Sequence, residues 1–284
     1  MTLVQVIING VLLGGVYALF AAGLNMIVGV MRVINLAHGE LMMLGAYTTF
    51  MLFSLAHVNP LLSIPASAAL MLILGMALQR LMVERVVRQP LLSSLLLTFG
   101  LSTLFLGVAL NVWTGDQRSV SYLSGSLSVG GLQISVVRMV AFAVAVALTG
   151  ATFLFLRCST FGKTIRATAQ HPDAAQACGI DVTRVRMVTF GIGSALAAAA
   201  GSLVSMMFTF NPEIGQAFLP KAFAVIVLGG LGSFVGALLG ALVLGVSETV
   251  AGYFSSGQRA ESVAFVILIV MLMIRPAGLF GTNE

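Results

Sequence analysis

Charge is scarce in this 284-residue chain: only 8% of its residues are charged, where a soluble domain carries about 25%. So few charges cannot cover a globule of this size, and most of the surface must face lipid. The 59% hydrophobic content and a mean hydropathy of +1.07 agree. Cysteine is nearly absent. Cys158 and Cys178 are the only two, and both flank or lie in a charged connection assigned below to the cytoplasm, which predicts free thiols and no disulfide. None of the three histidines has a Ser or Cys nucleophile with an orienting acid in its sequence context, so soluble-type catalysis finds no support. No glycine loop is followed by Lys-Ser or Lys-Thr. "GGLGS" (Gly229 to Ser233) runs into Phe234 inside an apolar stretch, so it is not a phosphate loop, and ATP hydrolysis by this chain is not expected. The net charge of +5 does not point to nucleic acid, because the basic residues sit in short loops between apolar runs, as the positive-inside rule describes. The N-terminus, "MTLVQVIING", lacks the basic segment of a signal peptide and reads as the start of a membrane span. No soluble domain, linker or low-complexity tail is visible.

What is present is a series of apolar runs. A helix needs about 20 mostly apolar residues to cross a bilayer. Runs of that kind cover 4–28, 41–56, 61–82, 91–113, 134–156, 187–209 and 261–275. The stretch 217–253 is too long for one span and should split at "GGLGS" into two short helices. About eight helical crossings result, without β-barrel alternation, so the fold class is an all-α integral membrane bundle with broken or re-entrant segments. Arg80, Arg85 and Arg88 follow the third span, and Arg157, Lys163, Arg166, Arg184 and Arg186 surround the fifth-to-sixth connection. These loops should face the cytoplasm. The Ser- and Gly-rich connection from 114 to 133 should face outside. That places the N-terminus outside and Arg275 inside.

Small residues recur every four positions in three sets: Gly10, Gly14, Ala18, Ala22; Gly193, Ala197, Gly201, Ser205; and Gly232, Gly236, Gly240. On a helix each set makes a smooth stripe for close packing, inside the bundle or against a second subunit.

Two segments interrupt the apolar pattern. In "MRVINLAHGELMMLGAY" (Met31 to Tyr47), Arg32, Asn35, His38 and Glu40 lie between two spans. The segment is either a cytoplasmic turn or a broken helix lining a pathway; on a helix Asn35 and His38 would share a face. His38 and Glu40 without a third ligand do not make a metal site. In "NPEIGQAFLPKAFAVIVLGGLGS" (Asn211 to Ser233), Pro212 and Pro220 should break helix, Glu213 and Lys221 bracket the break, and Gly229, Gly230 and Gly232 end the run. It is either an external loop with a kinked helix or a discontinuous helix beside a transport path. Glu248 lies in an apolar span near its predicted end, where it either reaches water or serves as a buried functional carboxylate.

The most charged loop carries "TAQHPDAAQACGID" (Thr168 to Asp181). Pro172 suits a first helical turn. Asp173 favours the positive helix end. Ala174, Ala175, Gln176 and Ala177 are good helix formers, and Gly179 can terminate the helix in the left-handed conformation. A helix of two turns is marginal alone, so it needs a surface: the protein's own cytoplasmic face or a partner's groove, with Arg166, Arg184 and Arg186 to fix it electrostatically.

"DAAQACGI" (Asp173 to Ile180) resembles the EAA loop of ABC-transporter membrane subunits, with Asp173 where Glu is usual. "VINLAHGELMMLGAY", "GKTIRATAQHPDAAQACGI", "AFAVIVLGGLGSFVGALLGALVLGVSE" and "IRPAGLFG" together resemble branched-chain amino acid permeases of the LivH type, in the same order over almost the whole chain. The resemblance implies a single permease domain over 1–284 in a bacterial inner membrane, with a cytoplasmic coupling loop about 157–186. It implies a second permease of the LivM type, two cytoplasmic ATPases that hold the ATP and Mg, and a periplasmic binding protein. No cofactor is expected in this chain. Asp173, Ala174, Ala175 and Gly179, with Arg166, become the ATPase-coupling residues. Asn35, His38, Gly39, Glu40, Gly229, Gly230 and Gly232 become candidates for the translocation path. Related permeases carry urea or short amides, so hydrophobic amino acids are the first expectation and amides the second. A secondary transporter or channel would need a buried coupling site, for which only Glu248 offers itself.

Overall fold

The computed structural model describes residues 2–87, 89–123, 125–129, 131–254, 257–275 and 278–279. Arg88, and Pro276, Ala277 and the residues from Phe280 onward in the C-terminal motif, lie outside the described residues. Among the described residues there are eleven α-helices, α1 (Leu3–Met31), α2 (His38–Ala56), α3 (Pro60–Leu81), α4 (Leu91–Trp113), α5 (Val136–Cys158), α6 (Thr160–Gln170), α7 (Pro172–Ala177), α8 (Val182–Met207), α9 (Ile214–Gly229), α10 (Phe234–Phe254) and α11 (Gly257–Ile274), and a 3-10 turn at Val83–Arg85. Among the described residues, seven helices are long and apolar enough to cross a membrane, and Ile214–Gly229 and Ser262–Ile274 are shorter apolar helices. The expected number of about eight falls between seven and the nine reached with the short ones. The split at Gly229–Ser233 is present as the α9–α10 turn.

One element departs from an all-helical reading. In the 114–135 connection, β1 (Ser126–Val129) pairs antiparallel with β2 (Leu132–Ser135). Gln5 at the start of α1 donates its side-chain N–H to the Gln133 carbonyl, so α1 begins at the hairpin end. α5 leaves that hairpin and delivers the chain to α6 and α7 at the opposite end. The two poles of the bundle are thereby fixed.

α1 and α8 form the centre, buried along most of their length, and α2, α3, α9 and α10 pack around them. Glycine makes this possible. A Cβ on Gly201 would overlap the Met42 carbonyl, one on Gly45 would overlap the Ala198 backbone, and Gly23 and Gly193 face one another across α1 and α8. Gly10 and Gly14 similarly admit α10. The small-residue stripes therefore serve contacts inside this chain, where van der Waals packing replaces the hydrophobic effect as the cohesive force. Gly232 is a correction. It does not belong to a helical stripe; it sits in the turn before α10 with φ +81°.

Candidate functional site

The charged connection is not a loose loop. Ser159 caps α6 by accepting from the Gly162 N–H, and Asp181 caps α8 by accepting from the Arg184 N–H at 3.0 Å. Between them stands α7, six residues long with Pro172 in its first turn. Its C-terminus is closed by two reciprocal bonds, Ile180 N–H to the Ala175 carbonyl and Gly179 N–H to the Gln176 carbonyl. Gly179 takes φ +83°. This is the paired-bond helix stop that glycine favours. Ala175 alone in α7 is buried, against the bundle, whereas Asp173, Ala174, Gln176, Ala177, Cys178 and Gly179 are exposed. The helix thus docks on its own chain by one methyl group and presents the rest outward.

The arginines divide differently from the expectation. Arg166 is exposed, with one long bond to the Arg157 carbonyl. Arg186 lines the cavity beside α7 but is paired elsewhere. It is buried and bonded at 3.2 Å to Glu84, which also accepts from Gln79 at 2.9 Å. The reason is geometric: Arg186 lies one turn inside α8, on the face against α3. Glu84 therefore ties the root of α8 to the end of α3. A cavity of about 630 Å³ opens beside α7, lined among others by Arg32, Gln89, Thr168, His171 and Asp173.

The first broken segment is re-entrant. α1 ends at Met31, with Arg32 in the left-handed region at φ 53°. His38 Nε2 nonetheless lies 3.1 Å from the carbonyl of Phe20, eleven residues earlier than Met31, or roughly three turns back along α1. Residues 32–37 therefore return alongside α1, and α2 starts well inside the bundle. Asn35, His38 and Glu40 are all buried. Of the two readings open for Asn35, the non-helical one holds: it precedes the helix and accepts from the Ala37 N–H, so it does not share a helical face with His38. Glu40 accepts from Ser102. Gly39 meets Gly215 backbone to backbone, which brings the starts of α2 and α9, the two interrupted elements, into contact.

The second segment also differs from the expected break. Pro220 lies inside α9 without ending it, and Lys221 follows within the same helix. Neighbouring helices stabilise a proline-containing helix in a membrane bundle. Gly229 packs on Gly236, Gly230 turns the chain at φ 97°, and the Gly232 N–H donates to Asn25 of α1 at 2.9 Å. Gly229 and Gly230 are buried and Gly232 is exposed.

Of the two readings open for Glu248, the structure shows the buried one. Its carboxylate is bonded to Lys221 Nζ at 2.6 Å and accepts from the Tyr17 hydroxyl at 2.7 Å. Lys221 also donates to the Tyr17 oxygen. The sequence marked Lys221 and Glu248 separately, 27 residues apart; nothing in their spacing paired them, and Tyr17 carried no signal at all. The three close one side of a vestibule of about 660 Å³. Among the described residues no group of three or more His, Cys, Asp or Glu is placed to hold a metal ion.

The family described as "branched-chain amino acid transport system / permease component" matches residues 6–274. The chain is 33% identical over 299 aligned residues to the high-affinity branched-chain amino acid transport system permease protein BraD of Pseudomonas aeruginosa, covering 99% of this chain and 96% of that one. LivH of Escherichia coli K12 matches with the same identity and coverage. A probable LivH of Methanocaldococcus jannaschii is 26% identical over 98% of this chain and 93% of its own. Among solved structures, PsaBC from Streptococcus pneumoniae in complex with Fab superposes with a TM-score of 0.51 at 13% identity, covering 99% of this chain and 94% of that chain, a likeness of fold.

Proposed function

Because the chain belongs to the branched-chain amino acid transport permease family, we propose that it is the membrane permease subunit of an ATP-driven importer for branched-chain or other hydrophobic amino acids. The observation that carries the coupling part of this reading is α7: a capped helix in a charged connection, held to its own chain through Ala175 and exposed elsewhere. An isolated helix of this length is marginal in water, and a partner's groove would supply the missing surface. In this reading Asp173, Ala174, Ala175 and Gly179 form the coupling helix, Arg166 lies beside it, and the loop faces the cytoplasm. ATP and Mg belong to two cytoplasmic ATPases. A second permease of the LivM type and a substrate-binding protein complete the assembly.

Movement of α7 would be transmitted through α8, whose root is tied to α3 by the Glu84–Arg186 pair. α8 packs against the re-entrant start of α2. In this reading the interrupted elements around Asn35, His38, Gly39 and Glu40, and around Gly229, Gly230 and Gly232, line the translocation path; irregular backbone at membrane depth survives only where protein or a wet cavity covers it. Transport of urea or short amides by the same architecture is the second reading.

The test is co-purification from the native membrane in mild detergent. Two ATPases and a second permease are expected with the tagged chain. Recovery of the chain alone, or only with itself, would overturn the importer reading.

A further inference from the structure

The Lys221–Glu248–Tyr17 cluster needs an explanation that packing does not provide. Bringing two charges out of water is expensive, and a buried pair is weak evidence for stability. The helices it links are already joined without it. α9 meets α10 through Gly229 on Gly236 and Gly240 on the Val225 carbonyl, and α1 meets α10 through Gly10 and Gly14. Ionisable groups inside a membrane bundle mark ligand pathways by default, and this pair lies at a cavity.

Its position and surroundings say what the cavity would hold. Tyr17 is the central residue of the 29-residue α1, and transporter sites lie near mid-membrane at interrupted helices. The vestibule takes in the residues after α8, from Phe208 to Asn211, the α9 N-cap Glu213 and the first turn of α9. It therefore opens toward the hairpin pole, opposite α7. Its about 660 Å³ falls within the range of small-molecule sites, about 300–1,000 Å³. Leu13 and Phe218 contribute apolar wall, and Lys221 Nζ stands 5.1 Å from the centre of the Phe218 ring. One buried cation, one buried anion and an apolar wall, with the exposed Glu213 as a second carboxylate of the vestibule, match one kind of ligand: a zwitterion with a hydrophobic side chain.

Resting on the importer reading, we infer that Lys221 and Glu248 form the amino-acid recognition site of this permease, the Lys221 ammonium taking the ligand's carboxylate and the Glu248 carboxylate its ammonium. In the unliganded protein the two charges neutralise each other, with Tyr17 bridging them. A zwitterion opens the pair and satisfies both halves, so neither charge is left unpaired at any stage. Pro220 has no N–H, so the carbonyl of Gln216, on the vestibule wall, lacks its ordinary helical donor and offers the ligand's ammonium a further acceptor. A neutral amide or urea separates the pair without replacing either partner. The site therefore discriminates for amino acids within an architecture that other solutes share.

The experiment is equilibrium binding of tritiated L-leucine to the purified protein with its co-purifying subunits, in nanodiscs without the binding protein. Competitors are 4-methylpentanoate, 3-methylbutylamine and 4-methylpentanamide, which lack the ammonium, the carboxylate and both charges. Each is expected to compete at least about tenfold more weakly than leucine, as loss of a charge-assisted contact implies. Competition by all three as strong as that of unlabelled leucine would overturn the assignment while leaving the co-purified importer intact. Lys221→Met and Glu248→Gln are expected to lower leucine binding about tenfold or more. Where a single change prevents insertion, the exchange of Lys221→Glu with Glu248→Lys restores a pair with its poles reversed. If that protein assembles and binds leucine as the unmodified one does, the cluster is only a structural tie. Assembly with weakened leucine binding supports recognition. Binding of the amide in preference to leucine would overturn both this site and the amino-acid reading.

Discussion

Ala174 and Ala175 are consecutive residues of α7 that face opposite ways, and this separates coupling from folding. Ala174 is exposed and Ala175 is 5% exposed. Replacing Ala174 with Arg adds a side chain to open solvent, so the stability of this chain should move by no more than about 0.5 kcal/mol. Replacing Ala175 with Arg drives the same side chain into the bundle, an overpacking worth about 1–3 kcal/mol before the charge is counted. If an ATPase groove closes over α7, Ala174→Arg also meets that groove, and a loss of about 1.4 kcal/mol there is tenfold in affinity. The expected result is a protein that inserts and melts like the unmodified one yet transports at least about tenfold less. Ala174→Ser, still small, should transport normally, and Ala175→Arg should lower both yield and melting temperature. The assay is ATP-driven leucine uptake into proteoliposomes, with melting followed by light scattering on the same preparations. Unchanged uptake by Ala174→Arg would refute the argument that a partner covers that face.

Two further outcomes follow from packing and exposure. Gly201→Val should fail to accumulate in the membrane, because its Cβ would overlap the Met42 carbonyl, a backbone atom with nowhere to go, whereas Gly150→Ala, with nothing within 4 Å, should accumulate normally; immunoblots of membrane fractions decide, and equal yields would count against the α2–α8 contact. Cys178 is exposed three residues before Asp181, the cap of α8, and Cys158 is exposed as well. In a Cys158→Ser background, maleimide should label Cys178 in the chain expressed alone and not when the ATPases are co-expressed; equal labelling would show that α7 is left uncovered.

The legible part of this protein was the part governed by one-dimensional rules. The split of 217–253 was readable because Gly229, Gly230 and Gly232 interrupt a run too long for one crossing. α7 was readable to its ends because Pro172 and Gly179 each have a local conformational reason to stand there. Asn35, Pro220 and Arg186 share one lesson. Local chemistry left Asn35 open between a turn and a helix face, put Pro220 at a break and Arg186 beside α7, and neighbouring helices decided each position. The hairpin at 126–135 went unread because four-residue strands leave too short an alternation to stand out.

The sequence by itself determined that this chain lives in lipid, roughly where it crosses, which connection carries the charge and where a short capped helix stands in it. Those are consequences of composition, run length and backbone preference, which act over a few neighbouring residues. Only the tertiary structure decided that the chain turns back into the bundle after Met31, that Gly39 meets Gly215, and that Tyr17, Lys221 and Glu248 converge on one vestibule. Those depend on which helix faces which. In a membrane bundle that choice rests on close van der Waals fit between small residues far apart in the chain, and such fit leaves no mark on the spacing of the residues it brings together.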